Sequence, residues 1–145
     1  MRRLVTAVAA AMLLSLAGCG DPTEDYCSEL QEDRKEFAEM LESESSSALL
    51  GNLPMLRDLA ENSPDDLTDE WQTYLRAIEG LDQAIERAGV EPSDFDAGKP
   101  PPGLSEGDQK AIAEAAGQIT TDEVIAAASG IEQQARDVCK VNLGL

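Results

Sequence analysis

The stretch LTDEWQTYLRAIEGLDQAIERAG, Leu67 to Gly89, decides how this chain folds. Leu67, Trp71, Tyr74, Ile78, Leu81, Ile85 and Ala88 recur every three to four residues and hold one face for about six turns. Gly89 follows the last apolar position, where a left-handed cap ends a helix. A face this long must be covered by other elements, and the flanking sequence supplies more helices. Just upstream, Asn62-Ser63-Pro64 ends one helix and starts the next, with Ser63 as cap, Pro64 first and Asp66 third.

Further upstream, Leu53, Leu56, Leu59 and Ala60 form the stripe of a short helix, with Pro54 confined to its first turn. Leu49 and Leu50 begin an earlier turn that Gly51 and Pro54 interrupt, and Ser43 to Ser47 is a polar break. Before the break, Asp21-Pro22-Thr23-Glu24 reads as a helix start, and that helix runs to about Glu42. Tyr26, Cys27, Leu30, Phe37 and Leu41 share its apolar face. Asp25, Glu29, Glu32, Glu36 and Glu39 share the opposite one.

Downstream of Gly89, a linker covers residues 90–104 and contains Lys99-Pro100-Pro101-Pro102-Gly103. Ser105 to Asp108 opens another helix, with Ile112, Ala115, Ala116 and Ile119 on its apolar side. Thr120 to Glu123 reads as a capping box for the last helix, which is expected to reach about Lys140. Its stripe is Val124, Ala127, Ala128, Ile131, Ala135, Val138 and Cys139. No strand-like alternation is found, and aromatic residues are only 3% of the chain, so the core is built from Leu, Ile, Val and Ala. The expected fold is all-α: a small helical bundle of four to five helices, with no internal repeat.

Residues 1–18 have a different character. Arg2 and Arg3 precede an apolar run from Leu4 to Leu16, broken only by Thr6 and Ser15, with small residues behind it. This is the pattern of a secretory leader, and the run is shorter than the ~20 residues of a membrane span. Leu16-Ala17-Gly18-Cys19 resembles the bacterial lipobox. That resemblance implies cleavage after Gly18, a lipid anchor on Cys19 carrying diacylglycerol and a palmitate-type acyl chain, and a mature domain of residues 19–145. It places the protein at the outer face of a bacterial cell membrane. Each buried CH₂ contributes ~0.8 kcal/mol, and two chains suffice for a stable hold.

Cys27 and Cys139 remain. In an exported chain two thiols are expected to form a structural disulfide, closing nearly the whole domain by joining the first helix to the last. The rivals are two free buried cysteines or a redox pair, and the C-x-x-C spacing of the latter is absent. A disulfide requires Cα atoms within ~7 Å, so the two ends of the domain must meet. Cys19 lies only eight residues before Cys27. The disulfide end is therefore expected to face the membrane.

The chain has 29 acidic and 11 basic residues, and losing residues 1–18 removes two of the basic ones, leaving −20. Such a surface keeps a protein soluble and is unsuited to nucleic acid. A cationic partner, a cell-envelope protein or a loosely held divalent metal are the partners it admits, besides the membrane reached through Cys19. There is no histidine. Ser-His-Asp and Cys-His sites, ordinary zinc catalysis and the Glu-x-x-His di-iron signature are thus excluded. Asp94-Phe95-Asp96-Ala97-Gly98 fails as a calcium loop, because Gly98, Lys99 and Ser105 fall at the fifth, sixth and twelfth positions. The acidic face of the first helix reads as a wetted surface, with Lys35 spaced to meet Glu32 and Glu39. Trp71 and Tyr74 read as core, and Pro100 to Pro102 as a stiff spacer.

The two mature ends, Tyr26-Cys27-Ser28-Glu29-Leu30 and Asp137-Val138-Cys139-Lys140-Val141-Asn142-Leu143-Gly144-Leu145, resemble those of small secreted actinobacterial lipoproteins. The resemblance implies a helical domain and no particular activity. No catalytic, cofactor or metal residue is expected. The leading functional expectation is a non-enzymatic, lipid-anchored interaction or accessory module of the cell envelope. The alternative is a small-ligand-binding lipoprotein with a pocket between the long helix and the last helix. A third reading, an envelope hydrolase, needs two facing acids of unequal pKa.

Overall fold

The computed structural model describes residues 21–43, 45–95 and 99–145. The expected leader and the expected lipid-attachment residue Cys19 lie outside them, as do Glu44 and Asp96 to Gly98. Among the described residues six α-helices follow one another: α1 Pro22–Glu42, α2 Ser46–Gly51, α3 Leu53–Glu61, α4 Thr68–Ala88, α5 Glu106–Ile119 and α6 Asp122–Gln134. Short 3₁₀ turns occupy Asp65–Leu67 and Pro92–Asp94, and α6 runs on into a π-helical turn, Ala135–Cys139. No strand occurs among the described residues. The fold is the all-α bundle that the periodicity predicts. The sixth helix is the separate turn foreshadowed at Leu49 and Leu50, cut off because Asn52 caps α2 and Pro54 opens α3.

Local chemistry explains most boundaries. The Asp21 carboxylate accepts from the Thr23 amide at 3.0 Å, and Pro22 takes the first helical position. Gly89 closes α4 at φ 69°, a conformation costly for any side chain with a Cβ. The Ser105 hydroxyl accepts from the Asp108 amide at 3.1 Å, capping α5. Two expected caps are not made. Ser63 Oγ donates back to the Ala60 carbonyl at 2.8 Å, so Pro64 and a 3₁₀ turn lead into α4 instead. Thr121, not Thr120, is the N-cap of α6, and both hydroxyls donate to carbonyls of α5's last turn. The tight α5–α6 junction uses these hydroxyls to satisfy the orphan carbonyls of the preceding helix.

α4 is the central element and touches α2, α3, α5 and α6. It buries Trp71, Tyr74, Ala77, Ile78, Leu81, Ala84 and Ile85. Against it lie Tyr26, Leu30, Phe37 and Met40 from α1, and Leu53, Leu56 and Leu59 from α3. Each fully buried aliphatic or aromatic side chain contributes about 1.5–3 kcal/mol relative to exposure. α6 approaches α4 closely at Gly130, where a Cβ would stand 3.1 Å from Glu70 Cγ.

The last stripe departs from expectation. Val124, Ala127, Ile131, Ala135 and Cys139 are buried, but Val138 is 51% exposed. The π-turn is the cause: the wider winding keeps Ala135 and Cys139 on the inner face and turns Val138 outward. Lys140 then adopts φ 61°, and the chain folds back so that Val141 and Leu143 join the core.

Candidate functional site

At one end of the bundle the Cys27 and Cys139 sulfurs are bonded, with Cα atoms 4.9 Å apart and a sequence separation of 112. The expected disulfide is present, and the first helix is joined to the continuation of the last. Among the described residues no buried side-chain nitrogen or oxygen lacks a hydrogen-bond partner. Trp71 Nε1 donates to the Tyr26 hydroxyl at 3.0 Å in the core. Trp71 also meets Tyr74 edge-on, at 6.2 Å between ring centroids. Burial is the main cause that pushes the Tyr26 and Tyr74 hydroxyls up to about 12. Glu132 is buried, and its Oε2 accepts from the amides of Leu143 and Gly144 at 2.9 and 3.0 Å. Arg136 Nη1 lies 3.7 Å from its other oxygen. These contacts fasten the folded-back tail. Beside the disulfide lies an open, mainly polar depression of about 450 Å³, lined by Asp21, Thr23, Glu24, Ser28, Gln31 and Val138.

The acidic residues do not converge on a reaction centre. Lys35 pairs with Glu39 at 2.9 Å, on the surface, and Glu29 accepts from Asn62 Nδ2 at 3.0 Å. Asp33 has its carboxyl pushed above the usual range, first by partial burial and then by Glu36, Glu29, Glu32 and Asp58. Asp94 Oδ2 accepts from the Glu91 amide at 2.8 Å, so it serves the 3₁₀ turn rather than a metal loop. Among the described residues no three Cys, Asp or Glu side chains are grouped to hold a metal ion.

The other end of α4 is open. Leu81 and Ile85 form the floor of a groove of about 450 Å³. Phe95 and Pro100 of the linker form one wall, and Ile112, Ala113 and Ala116 of α5 the other. Gln109 and Lys110 stand at its rim. The Gln109 amide group donates to the Leu104 carbonyl at 2.9 Å, which ties α5 to the linker. The groove lies one helix away from the expected site between the long and last helices. There, between α4 and α6, a shallow depression of about 220 Å³ is lined by Asp69, Glu70, Thr73, Glu123, Ala126 and Ala127. Leu81, Ile85 and Ile112 were legible as apolar stripe residues. Phe95, Gln109 and Lys110 were not, although a lone aromatic beside a proline run was the available signal.

A disulfide-closed α-helical domain with a mainly apolar surface groove is thus the class that fold and site define. No family model, curated protein or solved structure matches the chain.

Proposed function

We propose that this protein is a non-enzymatic, lipid-anchored interaction or accessory module of the cell envelope, held at the outer face of a bacterial membrane through Cys19. The observation that carries the reading is the Cys27–Cys139 bond. A long-range cystine suits a chain matured outside the cytoplasm. It also brings the end of the domain to within eight residues of Cys19, so the domain stands close to the bilayer with no long tether. The non-enzymatic reading is supported by a chain without histidine, whose carboxylates are spread over solvated helix faces.

Intact mass of the membrane-extracted protein, with and without reduction and alkylation, tests the anchor. The expected product begins at Cys19, carries a diacylglyceryl group, and gains alkyl groups on two cysteines only after reduction. A product with a free thiol at Cys19 removes the anchor from the reading.

The groove favours a second reading, a small-ligand-binding lipoprotein. Its volume falls within the ~300–1,000 Å³ of small-molecule sites, and its walls are mainly apolar with polar groups at the rim.

A further inference from the structure

We infer that the groove between α4, α5 and the linker takes the acyl chain of a long-chain carboxylate, with its head group at Lys110. This rests on the small-ligand reading and names the ligand class. The walls offer Leu81, Ile85, Phe95, Ile112, Ala113 and Ala116, and nothing among these side chains can hydrogen-bond. The Gln109 amide group is committed to the Leu104 carbonyl. A ligand rich in polar groups would leave them unpaired against such walls, whereas a hydrocarbon chain loses nothing there.

Charge decides the head group. From residue 19 onward the chain carries 29 acidic residues and only four lysines, Lys35, Lys99, Lys110 and Lys140. Lys110 is part of the groove lining, and Lys99 directly precedes the wall residue Pro100. Of the nine basic residues from residue 19 onward, Lys110 lines this mainly apolar groove and Lys99 adjoins it in sequence, on an otherwise strongly acidic protein. The Lys110 ammonium lies 3.6 Å from Glu114, with both side chains largely exposed. Exposed pairs of this kind are weak, about 0.2–1 kcal/mol, so the ammonium can exchange Glu114 for a carboxylate whose chain is already held.

Titration of the full chain with cis-parinaric acid, a fluorescent long-chain carboxylate, and with the uncharged alcohol of the same chain, tests this. Saturable one-to-one binding of the acid is expected. Ala113→Trp fills the groove and should weaken both probes at least about tenfold. Ala113 is exposed, so the variant is expected to keep its helical circular dichroism and melting point; Ala116→Trp on the same wall is the second variant. Comparison with these variants also subtracts partitioning into any attached lipid. Lys110→Glu should weaken the acid about fivefold and leave the alcohol unchanged. If the acid binds wild type and both tryptophan variants equally, or does not bind at all, the groove is not a ligand site and the small-ligand reading falls too. If acid and alcohol bind alike and Lys110→Glu changes neither, the head-group assignment is overturned while the groove reading stands.

Discussion

At the N-terminal half of α4, Trp71 donates to Tyr26, Ile131 is fully buried, and a covalent bond locks α1 to the turn after α6. At the C-terminal half, Leu81 and Ile85 look into a groove, and the covering helix α5 buries one side chain, Ile112, along 14 residues. One helix thus carries a closed end and an open end. Opening free energies vary within a fold according to how much buried contact each part has. A domain that binds through its open end needs its closed end to set the overall stability. Division of labour of that kind makes the following expectations specific.

The largest effect should come from the closed end. Replacing Cys27 and Cys139 together by alanine releases a loop of about 100 residues, for which the chain-entropy account gives up to about 4.7 kcal/mol. Urea unfolding should show a loss of several kcal/mol. A shift of the midpoint no larger than that of an ordinary surface substitution would mean that packing, not the cystine, closes this end.

A matched pair of substitutions compares the two ends directly. Ile131→Ala removes a side chain with no exposed surface and should cost within the ~2–5 kcal/mol range for such truncations. Ile112→Ala, at 7% exposure beside the groove, should fall near the bottom of that range, at about 2 kcal/mol, because water can reach the space left. Urea midpoints of the two variants give the order. The reverse order would show that α5 is held as firmly as α6.

The two ends were also unequally legible in the sequence. Helical faces were readable because their period is local: Trp71, Tyr74, Ile78, Leu81 and Ile85 are buried as the spacing requires. The cystine was readable as well, because the expectation of export, with Cys19 assigned to the lipobox, leaves Cys27 and Cys139 few other uses. What escaped depends on winding and on distant contacts. The π-turn that exposes Val138 has no sequence period of its own. The burial of Leu143 depends on Glu132, eleven residues before it, accepting from the Leu143 and Gly144 amides, while the Val141 amide donates to the Ala135 carbonyl. Ser63 and Thr120 carry cap chemistry, but the same hydroxyls can donate backward to carbonyls, and the turn geometry chose that use. The groove escaped because it forms where the linker residues Phe95 and Pro100 meet α4 and α5, a contact between segments that no local period announces.

A smaller effect, read by pH, again separates the ends. Tyr26 and Tyr74 both lie at the closed end, and burial raises each hydroxyl from the ordinary 10.0 to about 12. Below the ordinary value both hydroxyls are protonated whether the chain is folded or not, and their contribution is fully present. Between the two values the unfolded chain releases protons that the folded chain keeps, so stability falls as pH rises through this window. At about 1.4 kcal/mol per unit, each tyrosine accounts for about 2–3 kcal/mol once the window is crossed, and for about half of that midway. Urea unfolding from about pH 9 to about pH 11 should therefore show a decline, and Tyr74→Phe should remove close to half of the tyrosine part. Tyr26→Phe is the less clean variant, because it also takes the acceptor from Trp71 Nε1. The groove's aromatic wall is Phe95, which does not titrate, and the uncharged alcohol probe makes no use of the Lys110 ammonium, so binding of the alcohol at the open end should keep its affinity over the range where the closed end begins to weaken. Loss of probe binding in step with the alkaline loss of stability would mean that the two ends open together, and that the bundle is one cooperative unit rather than a rigid end supporting a yielding one.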